Sequence, residues 1–236
     1  FAPCPFYPPN SPPLMLVASG STPFRLNLHV DDVGHTLIFG PTGSGKSTLL
    51  ALIAAQFRRY EHAQIFAFDK GRSIQPLTLA AGGDHYEIGG DREGEGAQLA
   101  FCPLSELQTD EDRAWASEWI ETLVSIQGVA VTPDHRNAIS RQIMLMALSN
   151  ARSLSDFVSG VQMREIKDAL HHYTVDGPMG HLLDAEQDGL SLRAFQTFEV
   201  EQLMNMGERN LVPVLTYLFR RIEKRLDGSP SLILLD

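Results

Sequence analysis

At 236 residues the chain is long enough for one large domain or a core with a subdomain, and 43% apolar content excludes a disordered chain. A net charge of -10 argues against a self-sufficient nucleic-acid surface, because a polyanion is held by clustered Lys and Arg. The only basic groups, Arg58-Arg59 and Arg220-Arg221 with Lys224-Arg225, read as solvated helix faces that in a ring of subunits could line a channel. Cys4 and Cys102 lack metal-type spacing and read as reduced thiols of a cytoplasmic protein. His171 and His172, being adjacent, would point in different directions on a helix and make a poor chelate, so no structural metal is assigned. No apolar run reaches the length of a membrane span, and no signal peptide is read.

In chain order, residues 1–23 hold seven of the fourteen prolines and read as an extended lead-in or linker. Phe24, Leu26, Leu28 and Val30 alternate with polar neighbours, which predicts a strand over 24–30 with one buried face. A turn at Asp31-Asp32-Val33-Gly34 leads to a short apolar strand, His35-Thr36-Leu37-Ile38-Phe39.

Next comes Gly40-Pro41-Thr42-Gly43-Ser44-Gly45-Lys46-Ser47, a match to G-x-x-x-x-G-K-[ST], followed by Thr48 and a helix over 47–60. The glycines let backbone approach an anion, and the N–H groups of the loop and first helical turn would point at phosphate oxygens. Lys46 would reach the β- and γ-phosphates, and the Ser47 hydroxyl would ligate Mg2+. The implied ligand is a nucleoside triphosphate, with ATP and Mg2+ as the expected pair. The helix is expected to turn Leu49, Leu52, Ile53, Phe57 and Tyr60 inward.

A strand over 64–68 follows, giving the strand–helix–strand order of a parallel α/β sheet and ending in Asp69-Lys70-Gly71. Two readings of Asp69 stand level: a reach to the nucleotide's Mg2+ or water, or a strand-end carboxylate bonding the Gly71 turn. Lys70 would meet a phosphate or a neighbouring subunit. Short strands are expected over 84–88 and 98–101, around a glycine-rich turn at 89–96. Helices are expected over 115–126, 137–149 and 156–173, with Trp115, Trp119, Leu123 and Ile126 as core. A strand over 195–200 places Glu199 at its end, either as a surface carboxylate or as a group that polarises water. Arg193 and Arg209 are candidates for contacts across a subunit boundary. A helix over 212–226 would turn Val212, Leu215, Leu218, Phe219, Ile222 and Leu226 inward.

The last residues, Ser231-Leu232-Ile233-Leu234-Leu235-Asp236, form an apolar strand closed by Asp, the pattern of the second nucleotide motif, whose carboxylate holds Mg2+ opposite the loop serine. Lys46 and Asp236 are thus the candidate catalytic pair, 190 residues apart. The chain reads as a fragment cut at both ends, expected to bind nucleotide better than it hydrolyses it. The expected architecture is α/β: a P-loop core of mainly parallel sheet over 24–103 and 191–236, with an inserted all-helical subdomain over 104–190.

Four segments together resemble the conjugal-transfer ATPases of the TrbE/CagE family: residues 35–47, Phe66–Ser73, Phe198–Leu203 and Pro213–Arg221. The resemblance implies a RecA-like core related to the FtsK/HerA motors, with Lys46, Ser47 and Asp236 in the family's nucleotide roles. It also implies a hexamer on the cytoplasmic side of the inner membrane, working with other type IV secretion components. A nucleotide-gated scaffold and a DNA translocase stay open as other readings, DNA contact being unsupported by composition.

Overall fold

The computed structural model describes residues 5–31, 33–89 and 99–236, and the chain divides into two compact units. One comprises Phe1–Glu87, Leu192–Glu201 and Lys224–Asp236, the other Ile88–Ser191 and Gln202–Glu223.

The first unit opens with an antiparallel hairpin of β1 (Met15–Ser19) and β2 (Thr22–Leu26). The strand expected over 24–30 is therefore displaced toward the N-terminus, and its partner lies inside the proline-rich stretch. Gly20, at φ 66, makes the reversal that a two-residue hairpin loop needs. Leu26 and Leu28 pack on the core, whereas Phe24 and Val30 are exposed.

Then come α1 (Lys46–Phe57), β3 (Gln64–Asp69), α2 (Gln75–Ala80), β4 (Asp84–Glu87), β5 (Phe195–Glu199) and β6 (Ser231–Leu235). β3 to β6 form one wholly parallel sheet in the order β4-β5-β3-β6. Every residue of β3 and β5 is buried, as parallel strands covered on both faces require. Ile53, Ala54 and Phe57 of α1 meet Ile65, Ala67, Leu232 and Leu234 in the core.

Two expectations fail here. Leu49 and Leu52 of α1 are exposed, and Ala54 takes the inner position instead, because the helix lays only one narrow stripe on the sheet. Residues 35–39 form no strand; Leu37 is 76% and Phe39 84% exposed. A strand needs a neighbour's N–H and C=O groups. Both edges of β3 are taken by β5 and β6, and 35–39 does not pair with the outer edge of β6, which has no partner among the described residues.

The second unit is helical, with α3 (Asp110–Ile126), α4 (Pro133–Ala147), α5 (Leu154–Gly160), α6 (Arg164–Leu170) and α7 (Gly180–Leu183), and most of α8 (Glu201–Asn205) and α9 (Glu208–Arg225). α3 and α4 begin earlier than apolar spacing predicts, because Thr109 with Asp112 and Thr132 with His135 form reciprocal capping boxes. The helix expected over 156–173 is broken: α5 stops at Gly160, where a Cβ would overlap the Gln142 side chain, and Val161 turns extended. Residues 99–101 are coil, not strand; Gln98 and nearly all of the glycine-rich turn lie outside the described residues.

In α9 the buried face carries Val214, Tyr217, Leu218 and Ile222, while Phe219 and Leu226 are exposed, contrary to expectation. Arg220 is likewise no solvated charge. It is buried, bonded to Glu111 (2.8 Å), Glu223 (3.0 Å) and Asp112 (3.3 Å), with its guanidinium 5.9 Å from the Trp115 ring centre. Trp119 is fully buried, and its indole N–H donates to the Pro213 carbonyl at 3.1 Å.

Candidate functional site

The glycine loop keeps the backbone its sequence demands. Gly43 (φ 79) and Gly45 (φ 87) occupy the left-handed region that favours glycine. Gly40 is needed for a different reason: a Cβ there would stand 2.6 Å from the Ser44 hydroxyl. Gly45 is the N-cap of α1, and no side chain caps that helix end. The Lys46 ammonium folds back onto the loop and donates to the carbonyls of Gly40 (2.9 Å) and Pro41 (3.0 Å). Gly40, Pro41, Thr42, Gly43, Ser44, Gly45 and Thr48 are all exposed, and Lys46 and Ser47 partly so.

At the carboxyl ends of the strands the register aligns a row of acids. Glu87 pairs with Glu199 and Glu199 with Asp69, and Asp236, whose N–H donates to the Phe68 carbonyl, comes level with Asp69. Four neighbouring carboxylates repel unless donors are supplied. The turn after β3, Lys70-Gly71-Arg72-Ser73-Ile74, supplies them to every strand. Glu199 accepts from the N–H groups of Gly71 (3.3 Å) and Arg72 (2.6 Å), and from Glu201 N–H at 2.9 Å. Asp69 accepts from the Ile74 N–H (2.8 Å) and the Ser73 hydroxyl (2.6 Å). The Arg72 side chain pairs with Glu87 at 2.8 Å, and Ser73 Oγ lies 3.0 Å from Asp236 Oδ2. Gly71 at φ 87 and Arg72 at φ 58 give the turn the curvature that aims successive donors at different strands.

Beside this row stands His85 of β4, its side chain 7% exposed, with neither ring nitrogen hydrogen-bonded among the described residues. Burial pushes its pKa down, against the opposing pull of Glu87, Glu199 and Asp69.

The structure thus gathers Asp69, Glu199 and Asp236 at one rim. Glu199 is 5% exposed, so the surface role expected for it is wrong; strand register carries it under the turn, where three N–H groups cover it. Asp69 is fully buried, with both oxygens engaged inside the chain, whereas Lys70 is exposed. Arg193 is held by Asp84 at 3.1 Å, and Arg209 is exposed. Sequence reading assigns no role to Arg72, Ser73 or Glu87. A usable signal exists for Ser73: a hydroxyl four residues after a strand-end Asp and next to a helix start is the spacing of a cap. Elsewhere in this unit, a cavity of about 390 Å³ is lined by Phe6, Tyr7, His29, Phe57 and Ser231, at the amino end of β6, so it does not belong to the acidic rim.

Comparisons with known proteins give names to this arrangement. No protein-family model matches the chain. Over its whole length it is 83% identical to a probable conjugal transfer protein TrbE of Sinorhizobium fredii, and 79% identical to the conjugal transfer protein TrbE of Rhizobium radiobacter. More distantly, it is 28% identical over 94% of its length to the type IV secretion system protein virB4 of Bartonella henselae. The chain spans 36%, 29% and 28% of those three proteins, about a third of their length. The solved structure of VirB4 from Thermoanaerobacter pseudethanolicus superposes with a TM-score of 0.61 over 83% of this chain and 67% of that one; at 11% identity this is a likeness of fold. Sequence identity along the entire chain, on a shared parallel α/β framework, makes this chain a member of the TrbE/VirB4 family of conjugal transfer and type IV secretion proteins.

Proposed function

We propose that the first unit is the nucleotide-binding part of a RecA-like ATPase motor that energises conjugative transfer. The observation that carries the reading is the loop of residues 40–47 leading into α1, with α1 packed on β6, the strand that delivers Asp236. Phe57, at the end of α1, lines the same cavity as Ser231 and Leu232 at the start of β6. A 12-residue helix runs about 18 Å, so one laid back along β6 brings its loop-bearing end toward the carboxyl rim. Open-edged parallel α/β sheets bind ligands on that side.

The donor set suits Mg2+: the Ser47 hydroxyl and the Asp236 carboxylate are hard oxygen ligands, and Asp236 Oδ1 has no hydrogen bond among the described residues. Bound there, the cation would neutralise phosphate charge. Lys46 would exchange its two carbonyl partners for phosphate oxygens, and the loop N–H groups would hold the chain of phosphates in place. Assembly as a hexamer, on the cytoplasmic side of the inner membrane through other secretion components, belongs to the same proposal. It is supported by the conjugal-transfer and type IV secretion systems for which the relatives are named, and by the absence, among the described residues, of any helix long and apolar enough to cross a membrane.

Calorimetry on Lys46→Ala tests the reading. Loss of ATP–Mg2+ binding by about 100-fold or more with an unchanged melting temperature is expected, since a charged contact to phosphate is removed from an exposed loop. Unchanged affinity would overturn it. Tight binding with no turnover would favour the scaffold reading over the motor.

A further inference from the structure

Ser73 lies between two carboxylates with a single proton to give. Its oxygen is 2.6 Å from Asp69 Oδ1 and 3.0 Å from Asp236 Oδ2. A hydroxyl donates one hydrogen bond at a time, so one of the two acids faces a lone pair instead of a proton. Asp69 has the shorter contact and is anchored by the Ile74 N–H as well, which fixes Ser73 Oγ from the β3 side. Asp236 is the acid left short of a donor. A carboxylate in that condition gains most from a cation, and its orientation is set by the neighbour that its other oxygen touches.

We infer that Ser73 is a positioning residue for Asp236: its hydroxyl, pinned by Asp69, holds the Asp236 carboxylate in the orientation that presents its other oxygen to a divalent cation. The inference rests on the nucleotide–Mg2+ reading of Asp236 given above. The same turn carries the consequence further. Gly71 and Arg72, two and one residues before Ser73, bond Glu199 through their N–H groups, and Arg72 reaches Glu87. A change of charge at Asp236 is therefore felt by the segment that ties β3 to β5 and β4. Ser73 touches neither substrate nor reacting atoms; it acts through Asp236.

The test is a Mg2+ titration of binding of a non-hydrolysable ATP analogue, followed by calorimetry, with a parallel measurement in EDTA. For Ser73→Ala, and for Ser73→Cys, which keeps the volume, the Mg2+ concentration at half-saturation is expected to rise about tenfold. Affinity for the metal-free nucleotide and the melting temperature should stay as in the parent, and Ser73→Thr, which keeps a hydroxyl, should restore the parent's Mg2+ dependence. The inference is overturned if the Ala and Cys variants titrate with Mg2+ like the parent. It is equally overturned if they lose metal-free binding and thermal stability together, or if Thr behaves like Ala. A parent protein with no Mg2+-dependent nucleotide binding at all would remove the proposed function, and this role with it.

Discussion

His85 shows what a single buried side chain costs at this rim. It sits beside three acids that would welcome a proton, yet burial is the stronger influence and keeps the imidazole neutral. Its pKa in the folded protein is below the ordinary 6.5 of the unfolded chain. As the pH falls through that ordinary value, the unfolded state takes up the proton first and folding loses stability; above it the full stability is present. One such group tilts stability by at most about 1.4 kcal/mol per pH unit. His85→Gln should therefore flatten the decline in melting temperature between about pH 6.5 and the acid limb, read by calorimetry across a pH series. A parallel decline in both proteins would show that His85 is not the group responsible. Lys46 is the opposite case: its ammonium is held by two exposed carbonyls, so it is free to trade them.

At the scale of elements, α9 solves a problem that its own sequence creates. Pro213 has no N–H, so the Arg209 carbonyl, four residues earlier, loses its helical donor. The Tyr173 hydroxyl donates to that carbonyl at 2.8 Å, while Gln127 donates to Tyr173 at 2.9 Å. Removing the hydroxyl strands a carbonyl and an amide, so Tyr173→Phe should cost about 1–3 kcal/mol in denaturant unfolding, with no effect on nucleotide affinity. A cost near zero would mean that solvent satisfies the carbonyl. β3, β5, α3 and α9 are each legible to within a few residues, because long apolar periodicity reports burial directly. Helix starts escape that periodicity where Thr109 and Thr132, not the apolar stripe, decide the boundary. The segment 35–39 has the composition of a buried strand and is coil, since composition cannot supply the neighbour that a strand must bond.

For the whole molecule, charge is the property to test. A chain of net charge -10 gathers no counterion-releasing surface, and of its basic groups Arg220 and Arg221 are spent on internal acids. By fluorescence anisotropy at about 150 mM salt, no binding to a short DNA duplex is expected at micromolar protein. Binding that weakens steeply with added salt would revive the translocase reading. The organisation into two units has the same logic: the parallel sheet draws its strands from three separated stretches, with helical segments of the second unit between them in sequence.

The sequence by itself determined the phosphate-loop pattern, the apolar strand before Asp236, the order of sheet and helix segments, and the family. Those are local signals, each written in a few consecutive residues whose chemistry or periodicity is the same in any fold. Only the tertiary structure decided that Glu199 is buried, that the turn from Lys70 to Ile74 supplies donors to all four strand ends, and that Ser73 stands between Asp69 and Asp236. Strand register sets those relations, and register joins residues more than a hundred positions apart that no local pattern connects.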